Sequence, residues 1–303
     1  MSRPATFERN KIRVTAGDRA VSLVFGALVT LFALACLLPF VLVVSAAFTE
    51  ETALVKNGYQ LLPSEFSLNA FKLLSQTNNV LDAYKVTIFI TVAGTLLSML
   101  CTCAIAYALS CQNFRSRGAL SMFCYFTMLF NGGLVATYLM NTQVLHLRDN
   151  ILVLILPSML SAYNIFLMRN FFSGIPASLS EAAKLDGATD MQILFRVILP
   201  ISTPGIATVG LFYALSYWNE WYKCMLYISE EKLYTLQYLI MRIMRQINYA
   251  STVPADVNLY QGALPTYSFR MAAVVAAIGP IILLYPFVQK YFTSGLTVGS
   301  VKG

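Results

Sequence analysis

Residues Pro176–Pro204 read P-A-S-L-S-E-A-A-K-L-D-G-A-T-D-M-Q-I-L-F-R-V-I-L-P-I-S-T-P. The stretch opens polar, carries a glycine near its middle and lies between long apolar runs. Ser178-Leu179-Ser180-Glu181 matches an S-x-x-E capping box with Pro176 just ahead, which predicts a short helix opening there. Leu179, Ala182, Ala183 and Asp186 share one face of that helix, because residues three and four apart are neighbours. Gly187 stands where a left-handed C-cap glycine would end it. Thr189-Asp190-Met191-Gln192 is a second box, of the T-x-x-Q type. Met191, Leu194, Phe195 and Ile198 then form an i, i+3, i+4, i+7 stripe, and Pro200 is expected to stop the helix. The expected product is two short helices with a glycine bend between them.

The rest of the chain explains why such an insert is unusual. Of 303 residues, 57% are hydrophobic and only 12% charged, against about a quarter charged in a soluble domain. The class is therefore an integral membrane protein, and the helix-length apolar runs below make it all-α. No Gly-Ser or Pro-rich linker divides it, so residues 1–303 form one domain that contains the 176–200 loop. The formal charge of +7 points to topology sorting and anionic lipid rather than nucleic acid. Five of the six cysteines lie within or at the ends of apolar runs, and none forms a C-x-x-C pair, so they read as packing residues. One histidine, His146, in a short loop gives no material for a metal site.

Spans need about 20 apolar residues. Six candidates emerge: Val21–Phe48, Tyr84–Ser110, Ala119–Met140, Ile151–Met168, Ile201–Ile228 and Met271–Phe292. The first is too long for a signal-peptide core of about 7–15 residues and reads as a retained span. Pro157 falls in the fourth, and Pro204 opens the fifth, where a proline is tolerated. With the N-terminus inside, the inner segments hold most of the lysines and arginines; Arg115 and Arg117 in a short connection give the cleanest vote. Both termini and the Pro176–Pro200 insert then face the cytoplasm. Two outer loops, near Thr49–Ala83 and Ser229–Arg270, are longer than about 12–15 residues. They either cap the bundle or receive a partner outside.

Two readings of the insert compete: an amphipathic hairpin on the inner leaflet, or a docking site for a soluble protein. Glu181, Asp186 and Asp190 are wrong for anionic lipid, and the small Ala182–Ala183 face permits close approach of another backbone. Docking is the better chemistry.

Glu181-Ala182-Ala183, Asp186-Gly187-Ala188 and Pro200 resemble the E-A-A-x-x-x-G loop of importer-type ABC permeases. The fuller string resembles the carbohydrate-uptake, maltose-type branch. Asn131-Gly132-Gly133, Ile155-Leu156-Pro157 to Asn164, Met168-Arg169-Asn170-Phe171-Phe172, Tyr217-Trp218-Asn219-Glu220-Trp221 and Gly295-Leu296-Thr297-Val298-Gly299 extend the likeness over most of the chain. The Asn-Gly-Gly segment and long outer loops look most like the complex-oligosaccharide subgroup. The resemblance implies a heteromer in the plasma membrane of a prokaryote. This permease would pair with a second homologous permease, two ATP-binding subunits and an extracytoplasmic sugar-binding protein. It implies six transmembrane helices, with the loop between the fourth and fifth acting as a coupling helix in a cleft of the ATPase. Glu181, Ala182, Ala183, Asp186, Gly187, Phe195 and Pro200 would then be the coupling residues. ATP and Mg belong to the partner ATPase; this chain has no G-x-x-x-x-G-K-[ST] and no Gly-Lys pair, so no cofactor is expected on it and no catalysis.

Polar groups within spans are candidates for the substrate path or for helix contacts. Asn131, Tyr138, Asn164, Tyr213, Tyr217 and Asn219 are such groups. Aromatic faces stack on sugar rings and amides bond hydroxyls, which suits a neutral saccharide, yet tyrosines near an outer end are also ordinary belt residues. Glu220 and Lys223, i and i+3, are expected to pair near the outer surface. Rival readings are an importer for peptides or amino acids, a membrane-embedded lipid enzyme, and a self-sufficient channel or carrier.

Overall fold

In α4 (Val80–Ser110) the buried positions include Ala83, Thr87, Ile90, Gly94, Ser98, Thr102, Ala106 and Leu109, one stripe advancing by three or four residues. Most are small. Within lipid no hydrophobic drive separates helix from tail, so helices associate where small residues let backbones approach. This stripe makes α4 the centre of the computed structural model, which describes residues 16–76, 80–252 and 267–282.

The described residues are helical, with one isolated antiparallel bridge, Thr49 to Phe66. α1 (Ala16–Ala47) precedes two short helices, α2 (Glu51–Asn57) and α3 (Asn69–Gln76). After α4 come α5 (Arg117–Leu129), α6 (Gly133–Leu139), α7 (Leu152–Ile155) and α8 (Ala162–Ser173). The hairpin helices α9 (Ala177–Leu185) and α10 (Asp190–Ile193) follow, then α11 (Leu199–Ile201) and α12 (Thr203–Trp218). α13 (Tyr222–Tyr227), α14 (Leu236–Thr252) and α15 (Tyr267–Ile282) close the described chain. α4 packs on α8 and α12. At the α4–α12 contact the Tyr217 ring lies on Gly94, and at the α8–α12 contact the Phe171 ring lies on Gly205.

α1 and α4, the latter about 46 Å long at 1.5 Å per residue, are each apolar and long enough to cross a membrane. Three of the other expected spans are broken. Ala119–Met140 divides into α5 and α6, bent by 113°. Gly133 takes φ +82 and donates its N–H to the Asn131 Oδ1 at 2.8 Å, so the Asn-Gly-Gly sequence builds a turn. Ile151–Met168 bends by 55° between a 3-10 turn at Leu156–Ser158, holding Pro157, and α8, whose start is capped by Ser161. The expected fifth span, Ile201–Ile228, is α12 alone. A break at Asn219–Trp221 separates it from α13, and an 88° bend at Ser202 separates it from the preceding helix. Pro204 does open α12. α15 holds the described part of the expected sixth span; the part beyond Ile282, and Gly295–Gly299 with it, lie outside the described residues.

The two long loops expected outside hold secondary structure. α14 lies in the second and packs on α4. In the first, the Glu51 carboxylate accepts the Tyr267 N–H at 2.9 Å and, at 2.8 and 2.7 Å, the N–H and hydroxyl of Ser268. It thereby caps the N-terminus of α15 and ties the first long loop to the last described helix. α1 makes little contact with the rest: every residue from 17 to 41 is exposed, and burial begins at Ser45–Ala47.

Candidate functional site

The hairpin forms as two helices around Gly187, with three departures from expectation. The first cap is Pro176, with φ −57 and ψ 129, and α9 starts at Ala177. Ser178 therefore lies inside the first turn, and the expected S-x-x-E box does not form. The proline supplies the extended entry on its own, since its fixed φ suits the approach to a helix. The other end of α9 follows expectation. Gly187, at φ +80, donates to the Lys184 carbonyl at 3.0 Å, and Ala188 donates to the Ala183 carbonyl at 2.9 Å. This pair of bonds is a Schellman closure, and only glycine takes that backbone angle without strain. The second box forms reciprocally: Thr189 Oγ1 accepts the Gln192 N–H, and Gln192 Oε1 accepts the Thr189 N–H at 2.9 Å.

The second departure is the apolar stripe. Leu194–Ile198 form a π turn, in which residues five apart share a face. Ile193, Leu194 and Ile198 are buried, while Met191 and Phe195 are exposed. The third is Pro200, which does not stop the helix. The wider π turn just before it accommodates a residue with no N–H, and α11 runs to Ile201 before the bend at Ser202. Across the bend, Lys184 Nζ meets Asp190 Oδ1 at 3.0 Å; that carboxylate holds the ammonium above its ordinary range. Glu181, Ala182 and Asp186 are exposed and Ala183 is partly covered. Leu185, Met191 and Phe195 are exposed by 89%, 64% and 51%, an apolar tip on an otherwise polar hairpin.

The expected path residues do not gather in one place. Asn131 lines a cavity of about 330 Å³ with Gly133, Leu134, Thr137, Asn141, Pro157, Tyr222, Lys223, Leu226 and Tyr227. Tyr138 stacks on Tyr227, ring centres 5.5 Å apart. Asn141 donates to the Tyr227 hydroxyl at 3.1 Å. Tyr213 and Tyr217 are buried between helices instead. The Tyr217 hydroxyl bonds Ser98 Oγ at 2.9 Å and donates to the Ile155 carbonyl at 3.2 Å. The Tyr213 hydroxyl bonds Thr102 Oγ1 at 2.8 Å and accepts the Ser161 N–H at 3.1 Å. Both hydroxyls thus tie α4 and α12 to the broken fourth segment. Asn164 is buried in the first turn of α8. Asn219 ends α12, its amide donating to the Leu215 carbonyl at 2.9 Å. Glu220 and Lys223 pair as expected, with Glu220 buried and Lys223 half-buried. Thr137, Asn141, Tyr222 and Tyr227 join the cavity without having been singled out; polar residues at 137 and 141, four apart in an apolar run, were the available signal.

The match to binding-protein-dependent transport system inner membrane components runs over residues 13–298. The chain belongs to this family. It is a membrane component of a transport system, a permease rather than an enzyme. It is 38% identical to a polygalacturonan/rhamnogalacturonan transport system permease protein of Bacillus subtilis (strain 168), across 93% of this chain and 97% of that one. A trehalose/maltose transport system permease protein of Thermococcus litoralis is 27% identical across 94% and 98%. Among solved structures, a bacterial ABC transporter involved in the import of the acidic polysaccharide alginate matches with TM-score 0.79 and 33% identity, covering 92% of this permease and 98% of that chain.

Proposed function

We propose that this permease admits a carbohydrate, an oligosaccharide, in an ATP-driven importer that works by alternating access. The relatives named for polygalacturonan/rhamnogalacturonan, trehalose/maltose and alginate support the substrate class. The assembly comprises a second homologous permease, two ATP-binding subunits that carry ATP and Mg, and an extracytoplasmic sugar-binding protein. The chain crosses the membrane six times with both termini in the cytoplasm, so that the Pro176–Pro200 hairpin reaches the ATPase. The unburied apolar length of α1 suits the second permease as its neighbour.

The observation that carries the coupling role is the hairpin itself. Closed at Gly187, boxed at Thr189 and bridged by Lys184–Asp190, it is stiff enough to transmit a push, and it presents Leu185, Met191 and Phe195 with no partner inside the described chain. Glu181 and Asp186 flank that tip. ATP binding closes the ATPase subunits, the hairpin moves with them, and α11 passes the motion to α12 across the Ser202 bend. The equilibrium shifts because ATP and the loaded binding protein each prefer one state. Asn131 lies on the proposed path, and Tyr138 supports it by holding Tyr227 in the same cavity wall; Tyr213 and Tyr217 act on it through the packing of α4, α8 and α12, while Asn164 and Asn219 sit at the start of α8 and the end of α12, outside the cavity lining.

Mild-detergent purification of tagged protein from its host tests this. An ATP-binding subunit should co-elute, and Gly187→Trp or Glu181→Ala should weaken its recovery while the chain still inserts. A stable chain that elutes without an ATPase in several detergents would overturn the proposal.

A further inference from the structure

Among the described residues lining the 330 Å³ cavity, Lys223 is the one that carries a charge. Its ammonium donates to Glu220 Oε2, and the other Glu220 oxygen accepts the Lys223 backbone N–H at 2.8 Å. Glu220 is buried and does not line the cavity. Lys223 therefore lies on the cavity wall with Glu220 behind it. A lysine ammonium has three N–H donors, and Glu220 engages one. Buried ion pairs are poor stability devices, because apolar residues of the same volume serve as well or better. A largely buried pair whose lysine lines a cavity that also holds Asn131, Thr137 and Asn141 calls for a ligand.

The rest of the wall fits a sugar ring. The Asn131 carbonyl oxygen is occupied by the Gly133 N–H, which leaves its NH₂ to donate. The Asn141 NH₂ is engaged by Tyr227, which leaves its carbonyl to accept. Tyr227 is held flat by its stack on Tyr138. Hydroxyl donors and acceptors are thus met by fixed amides, and a ring face by fixed aromatics.

We infer that this cavity is a subsite for an anionic sugar unit, with Lys223 binding the carboxylate of a uronate residue and Glu220 positioning Lys223. The inference rests on the saccharide-permease reading above and adds charge selectivity to it. It assigns that selectivity to this subunit.

The test is ATP-dependent uptake by the complete reconstituted assembly, with one binding protein in every arm. Trigalacturonate is compared with its uncharged methyl ester, and the readout is the ratio of the two rates. Lys223→Gln should lower the native ratio about tenfold, the effect of losing one charge-assisted hydrogen bond. Lys223→Arg should keep it. Glu220→Gln with Lys223→Gln leaves no unpaired buried charge, and carries the test if the single variant does not assemble. Since the binding protein is common to all arms, a changed ratio belongs to this permease. An unchanged ratio in assembled variants, or a native assembly that imports both forms equally, would sink the inference and leave the permease reading standing. A native assembly that hydrolyses ATP but imports neither saccharide would sink the inference and leave the permease reading to the co-elution test.

Discussion

Gly94 and Gly210 both face helix neighbours, yet they should respond differently to a methyl group. A Cβ at Gly94 would stand 2.7 Å from Tyr217 Cζ. That ring cannot retreat, because its hydroxyl is held by Ser98 and by the Ile155 carbonyl. Gly94→Ala should cost about 1–3 kcal/mol, the usual penalty of overpacking. At Gly210 the nearest atom would be Met99 Sδ at 3.9 Å, and Gly210→Ala should be nearly silent. Thermal unfolding in detergent compares the two directly. Tyr217→Phe keeps the ring on Gly94 and loses the hydroxyl bonds, so it should cost about 0.6–1.7 kcal/mol and loosen α4 from the fourth segment. At Gly187 a side chain would meet open space, so Gly187→Ala should cost about 1–2 kcal/mol through its backbone angle alone. Faster amide exchange at Ala188, with packing elsewhere unchanged, is the expected signature.

At the scale of elements, local chemistry set the ends of the hairpin helices. The Gly187 and Thr189 closures lie within six residues of their partners, which is why they were legible in the sequence. The Ser178 box failed because Pro176 offered an equally good entry two residues earlier. The expected stripe Met191–Leu194–Phe195–Ile198 assumed a 3.6-residue period, and a π turn changed the period mid-helix. A proline downstream is the cause available to a reader, but its consequence depends on whether the wider turn finds packing. The Glu51 cap on α15 was not legible: carboxylate and helix start are 216 residues apart. Glu51→Ala should cost about 1–2 kcal/mol as a lost helix cap. The prediction is checked by protease accessibility of the Tyr267–Ser268 segment, which should rise while α4 and α12 stay protected.

At the scale of the whole molecule, the exposed hairpin tip is the feature that a single chain leaves unfinished. Leu185→Asp or Met191→Asp should abolish co-elution of an ATP-binding subunit without reducing membrane insertion; equal recovery of the subunit would argue against docking at this tip. Composition alone determined that the chain is a membrane protein, since too few charges remain to coat a soluble surface, and apolar runs of helical span length made it helical. Sequence likewise determined the hairpin, because its bonds join near neighbours whose geometry the chain itself enforces. The breaks in the third, fourth and fifth segments, the burial of Tyr213 and Tyr217, and the cavity around Lys223 were decided only by the tertiary structure. An apolar run reads the same whether straight or bent, and Tyr217 finds Ser98 across 119 residues. Whether a tyrosine faces a sugar or another helix is set by which backbones the small residues of α4 allow to come close.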